Sequence, residues 1–248
     1  MRLAFVTDIH GNLAALEAVV DDIARRGVER IVNLGDSLSG PLLPLETARY
    51  LMARDWFQLA GNHERQILSA DRAGSGASDT YARSTLSRAE LDWIASLRPM
   101  ARVDDEVFVC HGTPTSDIEH LLETLDPGGL RAATASEVAA RCASIEASLI
   151  VCGHSHVPRI TGLASGQVVV NPGSVGLQAF EDERPFVHRV ENHSPDARYA
   201  IAERIDGRWI TALIAVPYDF ESMARLAELR RRPAWAMALR TGEMPQPG

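Results

Sequence analysis

Short apolar runs alternate with amphipathic stretches through the first half of the chain. LAFVT (3–7) is a continuous apolar run of strand length. Behind it, Asn12 stands where a helix cap belongs. Leu13, Leu16, Val19, Val20 and Ile23 then recur at helical spacing until Gly27 stops the helix. IVNLG (31–35) predicts a second strand, a helix follows near 44–54, and WFQLA (56–60) predicts a third strand. Strands alternating with helices predict a sheet of largely parallel strands with helices on its faces.

From 62 to 98 the pattern is helical, interrupted by AGSGAS (73–78), which predicts a loop. Ser87 and Glu90 have the spacing of a capping box for a helix through Leu97, which Pro99 ends. VFVC (107–110) and SLIVC (148–152) predict two more buried strands. Between them, Thr134 and Glu137 mark a second capping box, for a helix to about 145. Beyond 156 strand signals dominate: VPRITGL, QVVVN, RYAIAERI and WITALIAVP. The last two are joined by Asp206-Gly207, a hairpin turn signal. An amphipathic helix at about 219–231 and a proline-containing tail close the pattern. With no repeat, low-complexity block or linker, one domain over 1–248 is expected, its C-terminal helix and tail at about 219–248.

Composition narrows the class. At 248 residues, 46% apolar and 23% charged, the chain can bury a substantial core, which excludes a disordered protein. No apolar stretch reaches the roughly 20 residues needed to cross a bilayer. MRLAFVTDIH opens without the basic and apolar regions of a secretion signal, so a soluble cytoplasmic protein is expected. Lys+Arg 25 against Asp+Glu 33 gives a net charge of −8, a poor surface for non-specific nucleic-acid binding. The three cysteines form no CxxC pair, and their apolar neighbours predict buried thiols in a reducing compartment.

The chemistry is concentrated at strand ends. Five of the 8 histidines fall in short polar clusters directly after predicted strands. These clusters are Asp8-Ile-His10, Gly35-Asp36, Gly61-Asn62-His63-Glu64, His111-Gly112 and Gly153-His154-Ser155-His156. Any one of them alone reads as a turn or a cap. Together they fit a site, because ligands of an open α/β sheet bind outside the carboxyl ends of its strands. Asp, Asn and His offer hard oxygen and borderline nitrogen donors, suited to Mn²⁺, Fe, Zn²⁺ or Ni²⁺ rather than Cu(I) or Ca²⁺. Asp36, after a glycine at a strand end, is placed to bridge two cations ~3.5–4 Å apart. The glycines before Asp36, Asn62 and His154 are expected to turn the backbone sharply toward the metals. No GxSxG elbow, Walker A loop or GxGxxG fingerprint is present, which excludes a serine-hydrolase or nucleotide-loop reading.

The series DIH, GDS, GNHE, HG and GHSH, continuing into Asn171-Pro-Gly-Ser-Val-Gly176, resembles the calcineurin-like metallophosphoesterases from residue 3 to roughly 216. The resemblance implies an α/β fold of two facing mixed β-sheets flanked by helices, an αββα sandwich with a dinuclear site at one edge. It implies one metal held by Asp8, His10 and His156, a second held by Asn62, His111 and His154, and Asp36 bridging them. Asn62 and His63 would be the catalytic residues, His63 beside the scissile phosphate. Two divalent ions per chain are implied, manganese first, with Fe, Zn, Ni or Mg as alternatives.

The GD motif continues as Ser37-Leu-Ser-Gly-Pro41, without the phosphate-binding arginine of the superfamily's serine/threonine phosphatases. The resemblance is therefore to its small prokaryotic phosphodiesterases. It implies hydrolysis of a phosphodiester by water activated at two cations. A phosphomonoesterase or a nucleoside polyphosphate hydrolase would use the same ligands, with loops 65–80 and 178–197 choosing the substrate. A non-catalytic scaffold, as in the retromer subunit of this fold, need not keep its histidines, whereas every ligand position and His63 are filled here. The expected partner is a small phosphate ester, with no membrane and no non-specific nucleic-acid binding, and a homo-oligomer is allowed. About twenty polar residues at 178–197, including Arg184, His188, Arg189 and His193, are expected as a solvated loop. The alternative is a rim that touches the substrate.

Overall fold

In the computed structural model, residues 1–70 and 76–246 are described. The first half runs β1 (Arg2–Val6), α1 (Leu13–Arg25), β2 (Arg30–Asn33), α2 (Pro44–Met52), β3 (Phe57–Gln58), α3 (Asn62–Leu68), α4 (Ala77–Thr85), α5 (Arg88–Ser96), β4 (Met100–Arg102) and β5 (Val107–Cys110). It continues through β6 (Glu123–Asp126), β7 (Gly129–Ala132), α6 (Ala135–Arg141), β8 (Leu149–Val151), β9 (Arg159–Gly162) and β10 (Val168–Asn171). The last stretch holds β11 (Ala179–Asp182), β12 (His188–Glu191), β13 (Ala197–Ile205), β14 (Arg208–Val216), α7 (Phe220–Leu229) and α8 (Pro233–Thr241).

Two five-stranded sheets form, in the orders β14-β13-β1-β2-β3 and β4-β5-β8-β10-β9. Both are mixed. β1, β2 and β3 run parallel, as do β5, β8 and β10, and the remaining strands β13, β14, β4 and β9 pair antiparallel. The period-2 alternation of β1 decides which layer each residue joins. Leu3 and Phe5 meet Val107, Val109, Leu149 and Val151 of the other sheet between the layers. Ala4 and Val6 face the opposite way, onto Leu16, Val19 and Ile23 of α1. On the far side, Phe108, Cys110, Ile150 and Cys152 cover Val138 and Cys142 at α6. Helix, sheet, sheet and helix are therefore stacked, and burying each fully enclosed Leu or Phe contributes about 1.5–3 kcal/mol. All three cysteines are buried and free.

The local signals mostly act where the pattern places them. The Asn12 side chain accepts from the Ala15 N–H to open α1, and the capping boxes at Ser87–Glu90 and Thr134–Glu137 open α5 and α6. Asp206 (φ 47°) and Gly207 (φ 76°) make the left-handed pair that joins β13 to β14.

Several expectations are corrected. Of the loop expected at 73–78, residues 73–75 lie outside the described residues, and Ala77 and Ser78 already belong to α4 behind an extended Gly76. α6 stops at Arg141 with Cys142 as its cap, short of 145. The hairpin β6–β7 and the short β4 escape the pattern because they are brief and half polar. The stretch at 178–197 is not a solvated loop. Its core is the hairpin β11–β12, anchored by buried Ala179, His188 and Val190. The tail contains a further helix, α8, with Pro233 in its first turn and left-handed Gly242 ending it. No helix among the described residues is long and apolar enough to cross a membrane.

Because β1, β2, β3, β5 and β8 are parallel within their sheets, their carboxyl ends gather at one edge of the sandwich. That edge carries the polar clusters.

Candidate metal centre

Asp8 and His10 follow β1, Asp36 follows β2, and Asn62 follows β3 as the first residue of α3. His111 follows β5, and His154 and His156 follow β8. Five of these residues are left-handed: Asp8 (φ 54°), His10 (53°), Asp36 (53°), His154 (66°) and His156 (57°). Such backbone costs on the order of 1–3 kcal/mol per residue and persists only where the surroundings enforce it. The sharp turns are thus made largely by the candidate ligand residues themselves, which corrects the expectation for the preceding glycines. Only Gly35 is left-handed (φ 99°). Gly61 and Gly153 serve close approach instead. A Cβ on Gly61 would run into the Asp36 carboxylate, and one on Gly153 into Thr7 and Asp8.

The surroundings that enforce the turns are hydrogen bonds between loops. The Asp8 N–H donates to Gly35 O (3.0 Å), and the His10 N–H donates to Asp36 O (3.0 Å). Ser174 Oγ donates to Asp8 O (2.7 Å) and Asn171 Nδ2 to Gly153 O (2.7 Å), so the NPGSVG segment braces the loops after β1 and β8. Glu64 is buried, and its carboxylate accepts from the N–H groups of Asp36 (2.8 Å), Ser37 (2.9 Å) and Gly61 (2.7 Å). It holds the Asp36 turn in place. The sequence shows it only as the last letter of GNHE, with no role attached.

The structure brings all seven expected ligand residues together. Asp8, His10 and His156 form one group, with His10 Nε2 3.1 Å from His156 Nε2 and His156 Nε2 3.3 Å from Asp8 Oδ1. Asp36, His111 and His154 form a second, with His111 Nε2 3.0 Å from Asp36 Oδ2. Asn62 Oδ1 joins the second group, 3.2 Å from His111 Nε2, 2.9 Å from His154 Nδ1 and 3.2 Å from Asp36 Oδ2. Turned over, that amide would donate to all three. With its oxygen inward, four electron-pair donors face one point, as around a cation. His111 Nε2 is 4.0 Å from Asp8 Oδ1, so the two groups adjoin.

The outer ring nitrogens decide which atoms point inward. His10 Nδ1 donates to Ser39 O (2.7 Å), His111 Nδ1 to Leu34 O (2.9 Å), and His156 Nδ1 to Leu177 O (2.7 Å). His154 uses its other nitrogen, Nε2, toward Ile118 O (3.0 Å). A carbonyl only accepts, so each of these nitrogens carries the proton, and a neutral ring turns a lone pair to the centre. Asp8 Oδ1 is buried there without a hydrogen-bond donor. Crowded lone pairs and an unpartnered carboxylate oxygen are the donor set that divalent cations complete, so the residues fit the metals.

The electrostatics of His10 and His154 agree. Burial and the imidazoles of His156 and His63 push His10 down to about 4, and burial with His111 and His120 pushes His154 well below the usual histidine range. His111 goes the other way, to about 10, because Asp36 and Asp8 outweigh the burial that opposes its charge. Proton and cation compete for that one lone pair. Burial opposes ionisation of Asp36 and Asp8, yet the facing histidines hold both carboxyls below their ordinary value.

His63 belongs to neither group. Its N–H donates to Asp36 Oδ1 (2.8 Å), its Nδ1 bonds Asp79 Oδ1 (2.7 Å), and its ring stands 5.4 Å from that of His10. Asp36 and Asp79 raise it to about 9 against the burial that opposes its charge. Asp79, buried in the first turn of α4, is a functional contact that no motif announced. His120, whose ring lies 4.9 Å from that of His154, was equally silent.

A cleft of about 370 Å³ opens over the centre, with Phe180 of β11 and Trp235 of α8 across from His10 and His63. The cationic residues of 178–197 do not line it. Arg189 is paired with Glu181 and Glu191, His193 with Glu243, His188 bonds Phe186 O, and Arg184 is exposed toward the hairpin tip.

A family model described as the calcineurin-like phosphoesterase superfamily domain matches residues 1–193. The chain belongs to that superfamily. Among curated relatives, it is 24% identical over 247 residues to the uncharacterized protein MJ0912 of Methanocaldococcus jannaschii, covering 94% of each. Among solved structures, a metallophosphoesterase from Sphaerobacter thermophilus superposes with a TM-score of 0.75 at 24% identity, over 98% of this chain and 100% of that one. The hypothetical protein PH1004 of Pyrococcus horikoshii superposes with a TM-score of 0.72 at 18% identity, over 98% and 99%. The two solved structures share the mixed-sheet α/β fold of this chain.

Proposed function

We propose that the chain hydrolyses phosphodiesters at a site of two divalent cations. In this reading Asp8, His10 and His156 hold one cation, Asn62, His111 and His154 hold the other, and Asp36 lies between them. One observation carries it: four imidazoles have their outer N–H tied to backbone carbonyls, so their inner nitrogens face the carboxylates of the two groups, where Asp8 Oδ1 has no hydrogen-bond partner. The mixed oxygen and nitrogen donors suit Mn²⁺, with Fe or Zn²⁺ as rivals. When bound, two such ions supply an activated water and neutralise charge on the phosphoryl oxygens.

The remaining work falls to side chains. Glu64 fixes Asp36 through three backbone N–H groups. Asp79 fixes the His63 ring at the cleft, with Nδ1 engaged and Nε2 left to meet substrate. As water oxygen bonds to phosphorus and the P–O ester bond breaks, His63 gives the departing oxygen its proton. A diester is favoured over a monoester because, among the described residues, no Arg or Lys lines the cleft to balance a second negative charge.

The test is removal and return of metal. Chelated protein is expected to lose turnover of bis(p-nitrophenyl) phosphate and to regain it with Mn²⁺. Undiminished turnover by protein shown to be metal-free overturns the proposal.

A further inference from the structure

The wall of the cleft opposite the metal ligands has no part in the proposed chemistry, yet it is built with care. Trp235 stands edge-on to His10, ring centroids 6.1 Å apart, and Phe180 stands edge-on to His156 at 4.7 Å. Leu177, Ala238 and Met244 fill in behind them. The seat of Trp235 reaches back to the metal edge, because a Cβ on Gly40, in the loop after Asp36, would lie 2.9 Å from its Cη2 atom. An aromatic surface therefore begins where the imidazole ligands end. Beyond it, the carboxylates of Glu181, paired with Arg189, and Asp182 line the cleft, and no described Arg or Lys is itself among the lining residues.

We infer that this wall selects the ester group of the substrate: an aromatic or apolar group attached to a single phosphate, seated on Trp235 and Phe180. Trp235 and Phe180 are specificity-determining residues. The inference rests on the phosphodiesterase reading above. Two features carry it. Two aromatic rings flanking an apolar floor, beside the rings of His10 and His156, reward a planar apolar group. A second phosphate or carboxylate on that group would meet the Glu181 and Asp182 carboxylates, with Arg189 already engaged by Glu181 and Glu191, which disfavours polyphosphate chains.

The test uses binding, so that it does not depend on turnover. The affinities of phenylphosphonate, methylphosphonate and 4-carboxyphenylphosphonate for the Mn²⁺-loaded chain are measured by titration calorimetry. Phenylphosphonate is expected to bind about tenfold more tightly than methylphosphonate, with the 4-carboxyphenyl compound weaker than phenyl. Trp235→Ala should remove the phenyl preference and Trp235→Phe should keep most of it, both with unchanged metal content. Equal affinities for phenyl and methyl, a preference that survives Trp235→Ala, or tightest binding of the carboxylate would each overturn the inference, even if diesters are hydrolysed. A phenyl preference lost in Trp235→Ala, in a chain that hydrolyses no diester, would support the wall and overturn the reading it rests on.

Discussion

The metal edge and the wall facing it are made of opposite materials. The edge consists of loop ends, polar, buried and wound into left-handed turns that are held by hydrogen bonds between strands of both sheets. The wall is a hairpin and a short helix with apolar side chains and ordinary helical and strand backbone. Their positions in the chain differ as well. Every proposed ligand lies within the matched residues 1–193, whereas Trp235 lies beyond them. In the proposed reading, the contrast separates two tasks. Groups that hold cations must be fixed to within fractions of an ångström, which demands strained loops braced on a rigid sheet. Groups that recognise an apolar ester need only offer surface of the right shape, which a peripheral helix can supply.

If that separation holds, damage to the edge should empty the site, and damage to the wall should change only what binds. The largest effect is expected from Asp36→Asn, which removes a charge facing both ligand groups. Metal content should fall at both positions and turnover should nearly vanish, as elemental analysis and a diester assay would record. Two retained metals with near-normal rates would break the bridging assignment.

His63→Ala is expected to keep its metals and lose ~10²–10⁴-fold in rate on an alkyl diester, whose leaving oxygen needs a proton. The loss on a nitrophenyl ester should be far smaller. Equal losses would make His63 a phosphate-positioning group, and lost metal would make it a ligand.

Glu64→Gln replaces one acceptor oxygen with a donor that faces backbone N–H groups. The Asp36 turn should loosen, weakening metal affinity by about 10–100-fold, the usual consequence of disturbing groups behind the ligands. A metal titration would register it, and an unchanged affinity would show that the turn holds itself.

Ser87→Ala is the smallest and serves as the control. Ser87 caps α5 within its capping box and does not line the cleft, so about 1 kcal/mol of stability should be lost in thermal unfolding. Metal content should be unchanged.

The sequence made the edge legible because parallel strands put their carboxyl ends side by side. LAFVT and IVNLG as neighbouring parallel strands put Asp8 and Asp36 side by side, whereas His111 follows a strand of the other sheet and joins them because the two sheets face each other. What it hid were contacts made across space by residues without local pattern. Asp79 meets His63 from another helix, Glu64 acts through backbone groups 27 and 28 residues away, and Trp235 sits in a nine-residue helix whose arginine-rich approach read as a tail. The hairpin β11–β12 was hidden for a simpler reason. Each strand has four residues and only one side is covered, too little alternation to distinguish it from a loop.

The central claim is a site for two cations, and metal counting tests it most directly. Protein is chelated, reloaded with Mn²⁺, freed of excess ion and analysed for manganese per chain. The account predicts two ions in the natural chain and one in Asp8→Asn, which loses a ligand of one group only. A natural chain that retains one ion or none under these conditions would contradict it.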